Sequence, residues 1–501
     1  MQNYEIDATW HYHNGTKHPN GMLLNRFHVY HPSHRPAPYK IYKNVSQINL
    51  PLDKTPIGIS TLDAISTENI DSRIVPDLDM LGKILYFSSG ITKKIKFQGL
   101  GEMDFRAASC TGALYHIEIY LVCSDVPGLG AGVYHFDPKH MKLDTVRLGD
   151  FRKFVLQSTA DEPFTNQSPV ILVFTDVFAR NSIKYQSREY RHAFWDSGTI
   201  LANTLAITSA HNISSKIITG FVDSKICQLL GLDINEEAPI AIVPIGQTAQ
   251  HMSIFPPVEE TNIEAVSSDY EIEYPEINAM HESSCLLTEA EVAAWRCQIT
   301  LERKYSTNLI PLGKNITVQE SLENTIIKRG STRKFSLESI TFDQLSTILS
   351  QTTSKINSDF TSLESLSDIY IIVNAVDGLE SGSYYFVKEK NSLEQLRKGN
   401  FRYASGNLGL DQDLPYDASV TIFFMLNLDK ILEHFGNRGY RVAQIDAAIT
   451  GGKMYLASYA LGLGATGLTF YDDLVANFFS PHAENKETMF LIAIGKKEKS
   501  N

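Results

Sequence analysis

The strongest constraint on this chain is that it repeats itself. Ile119-Tyr-Leu-Val, opening IYLVCSDVPGLGAGVYHF, recurs at Ile369, 250 positions on, as IYIIVNAVDGLESGSYYF. Gly128, Leu129, Gly132, Tyr134 and Phe136 fall on Gly378, Leu379, Gly382, Tyr384 and Phe386. The same offset carries Gly149, Phe151 and Arg152 onto Gly399, Phe401 and Arg402, and Tyr190-Arg191 onto Tyr440-Arg441. An offset held over this span marks a duplicated unit, so the 501 residues are two related halves rather than a string of unrelated domains.

Each copy reads as an apolar strand, a Gly-containing hairpin, a second strand, a basic stretch, a third strand, a long helix rich in small residues, and a last strand ending in glycine. That last strand is IAIVPIG, ending at Gly246, and LIAIG, ending at Gly495. Long helices are expected over 190–210 and 440–461. In the second, Ala443, Ala447, Ala448, Gly451 and Gly452 leave room for another backbone to approach. The expectation is an α+β sandwich whose copies pack through these helices. The divisions are an extended N-terminal arm (1–56), copy one (57–250), an acidic linker with a short helix from Thr288 to Trp295 (251–310), and copy two (311–501).

Composition narrows the function. Lys and Arg number 45 against 57 Asp and Glu, a net charge of −12, which argues against nucleic acid or an anionic membrane as partner. The five cysteines include no CxxC pair and form an odd set, so neither a disulfide framework nor a zinc site is expected. His11, His13, His18, His28, His31 and His34 crowd the N-terminal arm without the spacing of a metal site, and no metal is expected there. The N-terminus has no basic and apolar signal regions, and the most apolar stretch, 440–463, carries Arg441, Asp446 and Lys453. A cytoplasmic protein without membrane spans is expected.

The differences between the copies carry the chemistry. Ahead of the repeated strand, Leu78-Asp79 and Ile84-Leu85 match Phe342-Asp343 and Ile348-Leu349 at an offset of 264, so copy one is fourteen residues longer there. The extra length includes Arg106 to Tyr115, in which Ser109, Cys110, Thr111 and Gly112 offer hydroxyls and amides to a flat or anionic ligand. Copy two instead has Arg329, Ser331 and Arg333 within five residues, where copy one has Ile65 and Asn69. Such a cluster suits a phosphate, though a basic surface turn looks the same. Copy two also reads Gly462-Leu-Gly464-Ala465-Thr466-Gly467 where copy one has Asn212, Ser214 and Ile217. This GxGxxG follows a helix and precedes a strand, the reverse of a dinucleotide loop, and is read as backbone held close to a planar ligand. Finally, Lys184-Tyr185 faces His434-Phe435 in the other copy. A desolvated Lys beside a Tyr can move a proton near neutrality; a solvated lysine and a packed tyrosine are the alternative.

Taken together, RAASCTGALYHIEIY, GLGAGVYHFDP, KYQSREYRHAFWDSG, RGSTRKF, FGNRGYRVAQIDAA and GLGATGLTFYDD resemble the SagB/ThcOx-type FMN-dependent dehydrogenases of the nitroreductase fold, over about 57–496. The resemblance implies an α+β, three-layer, nitroreductase-like fold whose tandem copies form an intramolecular pseudodimer with FMN at the interface. On that reading Arg329, Ser331 and Arg333 hold the phosphate, with Lys496 or Lys497 adding charge. Gly464, Ala465, Thr466 and Gly467 approach the ring, and Ser109, Cys110, Thr111 and Gly112 cover it. Each copy then keeps the half-site that the other has lost. Lys184 and Tyr185 match the Lys-Tyr pair that serves proton transfer in azoline dehydrogenases of the family. The implied function is desaturation of a peptide or peptide-like substrate, azoline to azole, with hydride passing to flavin N5 and O2 as re-oxidant. A modification complex is the implied setting. The alternatives are an NAD(P)H-dependent nitro- or quinone-type reductase and a flavin-free scaffold. Ala108 and His116 stand where prolines are usual in the family, which bears on substrate geometry.

Overall fold

The computed structural model describes residues 2–19, 36–67, 70, 72–97, 101–261, 263–265, 273–297, 299, 301–361 and 365–498. The expected positions of His28, His31, His34 and Asn69 lie outside them.

The repeat becomes two antiparallel sheets. The first runs Gln47–Asn49, Lys142–Leu148, Gly132–Asp137, Ile117–Cys123, Val170–Val177, Glu237–Ile245. The second runs Gly464–Gly467, Glu487–Gly495, Val420–Leu426, Asp368–Val373, Gly382–Val387, Ser392–Lys398, Leu309–Pro311. Registers repeat with the sequence: Ile119 pairs with Phe174, and Ile369 with Phe424, each 250 residues on. Even the irregularities recur, at Val133/Tyr134 and Ser383/Tyr384. Ile117–Cys123 and Val420–Leu426 are buried at every position, including Thr421 and Glu118, whose carboxylate is met by Arg180 and His135.

The long helices are Glu189–Ala210 and Arg438–Ala460, and they pack on one another between the sheets. The approach is as close as the small residues allow. A Cβ on Gly198 would lie 2.4 Å from the Cβ of Ala448, and one on Gly452 would lie 2.6 Å from that of Ala202. Residues 198 and 448, like 202 and 452, are equivalents at the repeat offset, so a pseudo-two-fold axis passes between them. This is the isologous contact of a symmetric dimer, made within one chain. Buried ion pairs obey the same symmetry. Arg438 and Arg441 of copy two bind Asp223 of copy one, at 2.5 and 2.8 Å, while Arg188 and Arg191 of copy one bind Asp472 of copy two, at 3.1 and 2.6 Å.

Two expectations need correction, and one gains detail. The N-terminal arm is not extended throughout: Asp7–Gly15 is a helix seated on copy two, with Thr9 donating to Asn437 and buried His13 between Tyr440 and Glu487. Its stability comes from these distant contacts rather than from a cap, since Ile6 at its N-terminus offers none. The stretch read as linker contains the helix Pro275–Ser283, whose buried Ile277, Met280 and His281 hold it to the body. The extra length of copy one builds a hairpin, Ile91–Phe97 with Gly101–Arg106, ahead of the small-residue loop. The expected helix near Thr288 is present as Glu289–Trp295, its Thr288 side chain accepting from the Glu291 amide. Among the described residues no helix is long and apolar enough to cross a membrane.

Candidate functional site

The small-residue loop follows that hairpin and is held from below. Asp196, on the first long helix, accepts from the Thr111 amide at 2.8 Å, its hydroxyl at 3.0 Å and the Cys110 thiol at 3.1 Å. Thr199 donates to the Ser109 carbonyl at 2.9 Å. Asp196 also meets His116 Nε2 at 2.8 Å, and His116 Nδ1 meets Asp176 at 2.5 Å. Burial alone would strip His116 of its charge, but Asp176 and Asp196 outweigh it and hold the ring well above its ordinary value. Burial, then Asp196, pushes the Cys110 thiol up. The Cys110 thiol and the Thr111 hydroxyl and amide, expected to face a ligand, are therefore committed inward. A carboxylate that accepts several bonds fixes the loop more firmly than neutral partners do.

Gly112 lies on the other side of this loop with φ +60. A Cβ there would sit 2.9 Å from Tyr185 Oη and 3.3 Å from Lys184 Nζ, so glycine at 112 is what lets the Lys-Tyr pair close over the loop. Both residues end the helix Phe178–Tyr185, with Lys184 Nζ 5.1 Å from the Tyr185 ring. Burial pushes the Tyr185 hydroxyl up, Asp196 and Cys110 add to it, and His116 and Arg333 pull the other way.

Arg333 belongs to copy two, so the halves meet here. Arg329 crosses the seam and donates Nε to the Ala107 carbonyl at 2.9 Å and Nη2 to that of Arg106 at 3.0 Å, its guanidinium 5.8 Å from the Tyr455 ring. Arg329, expected on a phosphate, clamps the opposite copy's loop through Nε and Nη2, because main-chain carbonyls at the seam lie within reach of its fork. Gly464–Gly467 is a short edge strand paired with Glu487–Gly495. The Arg-Gly-Ser-Thr-Arg segment docks along it, Thr332 N–H donating to the Ala465 carbonyl at 3.0 Å. A Cβ on Gly464 would lie 2.3 Å from Thr332 Oγ1 and 2.6 Å from Lys497 Cγ. Lys497 bridges to Phe335, its Nζ 4.7 Å from the Tyr459 ring. Ser331 is half-buried and Arg333 exposed.

The structure thus gathers Ser109 to Gly112, Lys184 and Tyr185 from copy one, and Arg329 to Arg333, Gly464 to Gly467 and Lys497 from copy two, along one seam. Ser331, Arg333 and Lys497 supply donors and positive charge for a phosphate, and the glycines let Thr332, Lys497 and the Lys-Tyr pair pack close around the seam. These residues fit a flavin mononucleotide. Asp196, Asp176 and Thr332 were missed from sequence. Asp196 stands inside the quoted motif KYQSREYRHAFWDSG, but nothing in its spacing says that it holds a loop 85 residues earlier.

Paired antiparallel sheets about a pseudo-two-fold axis, with one copy's loop clamped by the other's arginine, define a tandem nitroreductase-type oxidoreductase fold. The nitroreductase family model matches residues 104–247 and 326–496, and the chain belongs to that family. A crystal structure of a candidate nitroreductase from Anabaena variabilis matches with a TM-score of 0.80 at 25% identity, over 98% of this chain and 99% of that one. The trifolitoxin-processing protein TfxB of Rhizobium leguminosarum bv. trifolii is 26% identical over 179 residues, 35% of this chain and 48% of TfxB. The microcin B17-processing protein McbC of Escherichia coli is 26% identical over 140 residues, 27% of this chain and 52% of McbC. The chain thus spans about half the length of these two relatives. The resemblance drawn from the motifs is borne out.

Proposed function

We propose that this chain is an FMN-dependent dehydrogenase that desaturates a peptide or peptide-like substrate, of the azoline-to-azole kind, at the seam between its copies, acting in the cytoplasm and re-oxidised by O2. The observation that carries it is the Lys184-Tyr185 pair closed over Gly112, facing the basic cluster of the other copy. Ser331, Arg333 and Lys497 hold the phosphate, while Ser109, Cys110, Thr111 and Gly112 on one side and Gly464, Ala465, Thr466 and Gly467 on the other flank the ring with backbone. When bound, the flavin supplies a two-electron acceptor for a hydride. Lys184 Nζ takes the proton from the substrate's adjacent N–H or C–H as the base of the step. Tyr185, kept protonated by its burial, orients the substrate's heteroatom through its hydroxyl. Asp196 and His116 keep the loop beneath them from moving. The processing roles in the names of TfxB and McbC support a peptide-type substrate delivered within a modification complex.

A second reading, an NAD(P)H-dependent nitro- or quinone-type reductase, is favoured by the full-length match to the Anabaena protein. Two measurements decide. The purified protein is expected to be yellow and to release FMN on denaturation; a colourless protein that takes up no added FMN overturns the composite site and leaves the scaffold reading. Anaerobic mixing with NADPH is expected to leave the colour unchanged, whereas prompt bleaching establishes the reductase.

A further inference from the structure

The loop that carries Ser109 to Gly112 rests on a buried chain of ionisable groups that copy two does not share. Its members are Glu189 and Asp196 on the first long helix, Asp176 near the end of the strand Val170–Val177, and His116 just before the strand Ile117–Cys123. All four are buried. Leu366, Leu426 and Gly439 stand 250 residues after His116, Asp176 and Glu189, and of the four groups copy two keeps only the last, as Asp446 in place of Asp196. Asp446 works without an imidazole. It accepts from the Leu366 and Ser367 amides at 3.0 Å each, and from the Ser365 and Ser367 hydroxyls at 2.7 and 2.9 Å. The fold therefore forms with hydrocarbon at the other positions. Burying carboxylates and an imidazole there instead costs stability, and the copy that does so is the one that bears Lys184 and Tyr185.

Hydrogen bonding along the chain requires one more proton than the imidazole supplies. As an imidazolium, His116 spends both N–H groups, Nε2 on Asp196 at 2.8 Å and Nδ1 on Asp176 Oδ1 at 2.5 Å. Glu189 Oε1 lies 3.4 Å from the same Nδ1. Both Glu189 oxygens and Asp176 Oδ2 are buried with no donor. Two ionised carboxylates can only accept, so neither satisfies the other; a proton on one turns the pair into donor and acceptor. Burial, then Asp176, raises Glu189 well above the ordinary carboxylate range, so Glu189 is the one that holds the proton. Among the described residues, the other titratable groups facing the chain are Cys110, Tyr185, His192 and Tyr12 of the N-terminal helix. Burial keeps all four neutral, so none supplies a balancing charge.

We propose that Glu189 is a positioning residue of the site: as a neutral acid it donates to Asp176 and completes the chain Glu189–Asp176–His116–Asp196, which holds Cys110, Thr111 and Gly112 in place for the Lys-Tyr pair. The inference rests on the reading of the seam as the reaction site, but its test needs neither flavin nor substrate. At neutral pH the infrared spectrum of the purified protein is expected to show the carbonyl band of a protonated carboxylic acid, shifted in D2O and missing from Glu189→Gln. Alkylation of Cys110, followed by mass spectrometry of its peptide, reads how firmly the loop is held. Glu189→Gln keeps a neutral donor toward Asp176 and is expected to alkylate within twofold of the unaltered chain. Glu189→Leu has no donor and is expected to alkylate at least tenfold faster. Should Glu189→Leu fail to fold, the combined exchange His116→Leu, Asp176→Leu and Glu189→Gly, which writes copy two's residues into copy one, takes its place with the same expectation. Absence of the band, its persistence in Glu189→Gln, equal alkylation of all the variants, or a divalent metal found by elemental analysis in place of the proton would each overturn the proposal. A protein that meets these expectations and yet takes up no FMN upholds the role of Glu189 in holding the loop and overturns the reading of the seam.

Discussion

Arg441 of the second copy donates Nη1 to Asp223 of the first at 2.8 Å, fully buried, and the contact is returned across the axis by Arg191 of the first copy to Asp472 of the second at 2.6 Å. The arginines begin the paired long helices and the aspartates begin helices of the opposite copies, Asp223–Leu230 and Asp472–Phe479. Each carboxylate sits at a helix N-terminus, where the macrodipole favours it, and each serves two guanidinium groups. These pairs lock the copies into one register.

Removing one partner of such a buried pair leaves uncompensated charge and costs about 3–5 kcal/mol. Asp223→Asn is therefore expected to lower stability by that amount in urea, with both copies unfolding in one transition because the pair spans them. Two separate transitions, or a loss below about 1 kcal/mol, would show that the copies do not depend on it.

A glycine inside a helix ordinarily costs about 1 kcal/mol relative to alanine, so Gly→Ala there is usually stabilising. At Gly198 the sign should reverse. The new Cβ would meet that of Ala448 at 2.4 Å, and the helices must part to admit it. Gly198→Ala is expected to destabilise by about 1–3 kcal/mol, the range for an overpacked core, as read from denaturant midpoints.

Loss of a general base costs about 10²–10⁴-fold in rate. Lys184→Ala is expected to lower turnover within that range while leaving flavin content unchanged, since Lys184 meets the loop over Gly112 rather than the basic cluster. Turnover equal to that of the unaltered chain would remove Lys184 from the chemistry.

Arg329→Met withdraws two donors from the carbonyls of Arg106 and Ala107 and frees the loop that faces copy two. Bonds from charged donors contribute about 1.5–3 kcal/mol, so flavin affinity is expected to fall at least tenfold. Titration of the apoprotein with FMN measures it. Arg329→Lys should rescue little, because an ammonium cannot reproduce the two-pronged contact.

His13 gives the pH dependence. Burial first, then Arg191, lowers its pKa from 6.5 to about 4, against the opposing pull of Glu487. The unfolded chain therefore binds a proton between those values that the folded chain refuses. Stability from this group is complete above about pH 6.5 and is lost as pH falls toward 4, by about 3 kcal/mol in all. His13→Gln is expected to flatten the denaturation free energy over that window relative to the unaltered chain; an unchanged slope would assign the acid sensitivity elsewhere.

Much of this was legible in the amino-acid order. The 250-residue offset set the two sheets, their registers and even their bulges, because strand pairing depends on local apolar runs and hairpin glycines that both copies keep. The small residues at 443 to 452 announced the helix contact, and the motifs brought the right segments to one seam. The order could not say which way the groups on those segments point. Cys110 and Thr111 turn to Asp196, Arg329 turns to the opposite loop, Gly464 to Gly467 straighten into an edge strand, and Asp7–Gly15 coils against Asn437. Each outcome is decided by a partner 25 to more than 400 residues away, and periodicity carries no record of such partners. The sequence alone determined that one fold is written twice; only the tertiary structure decided which polar groups the seam consumes and which it leaves to a ligand, because hydrogen-bond direction is settled by what lies across space.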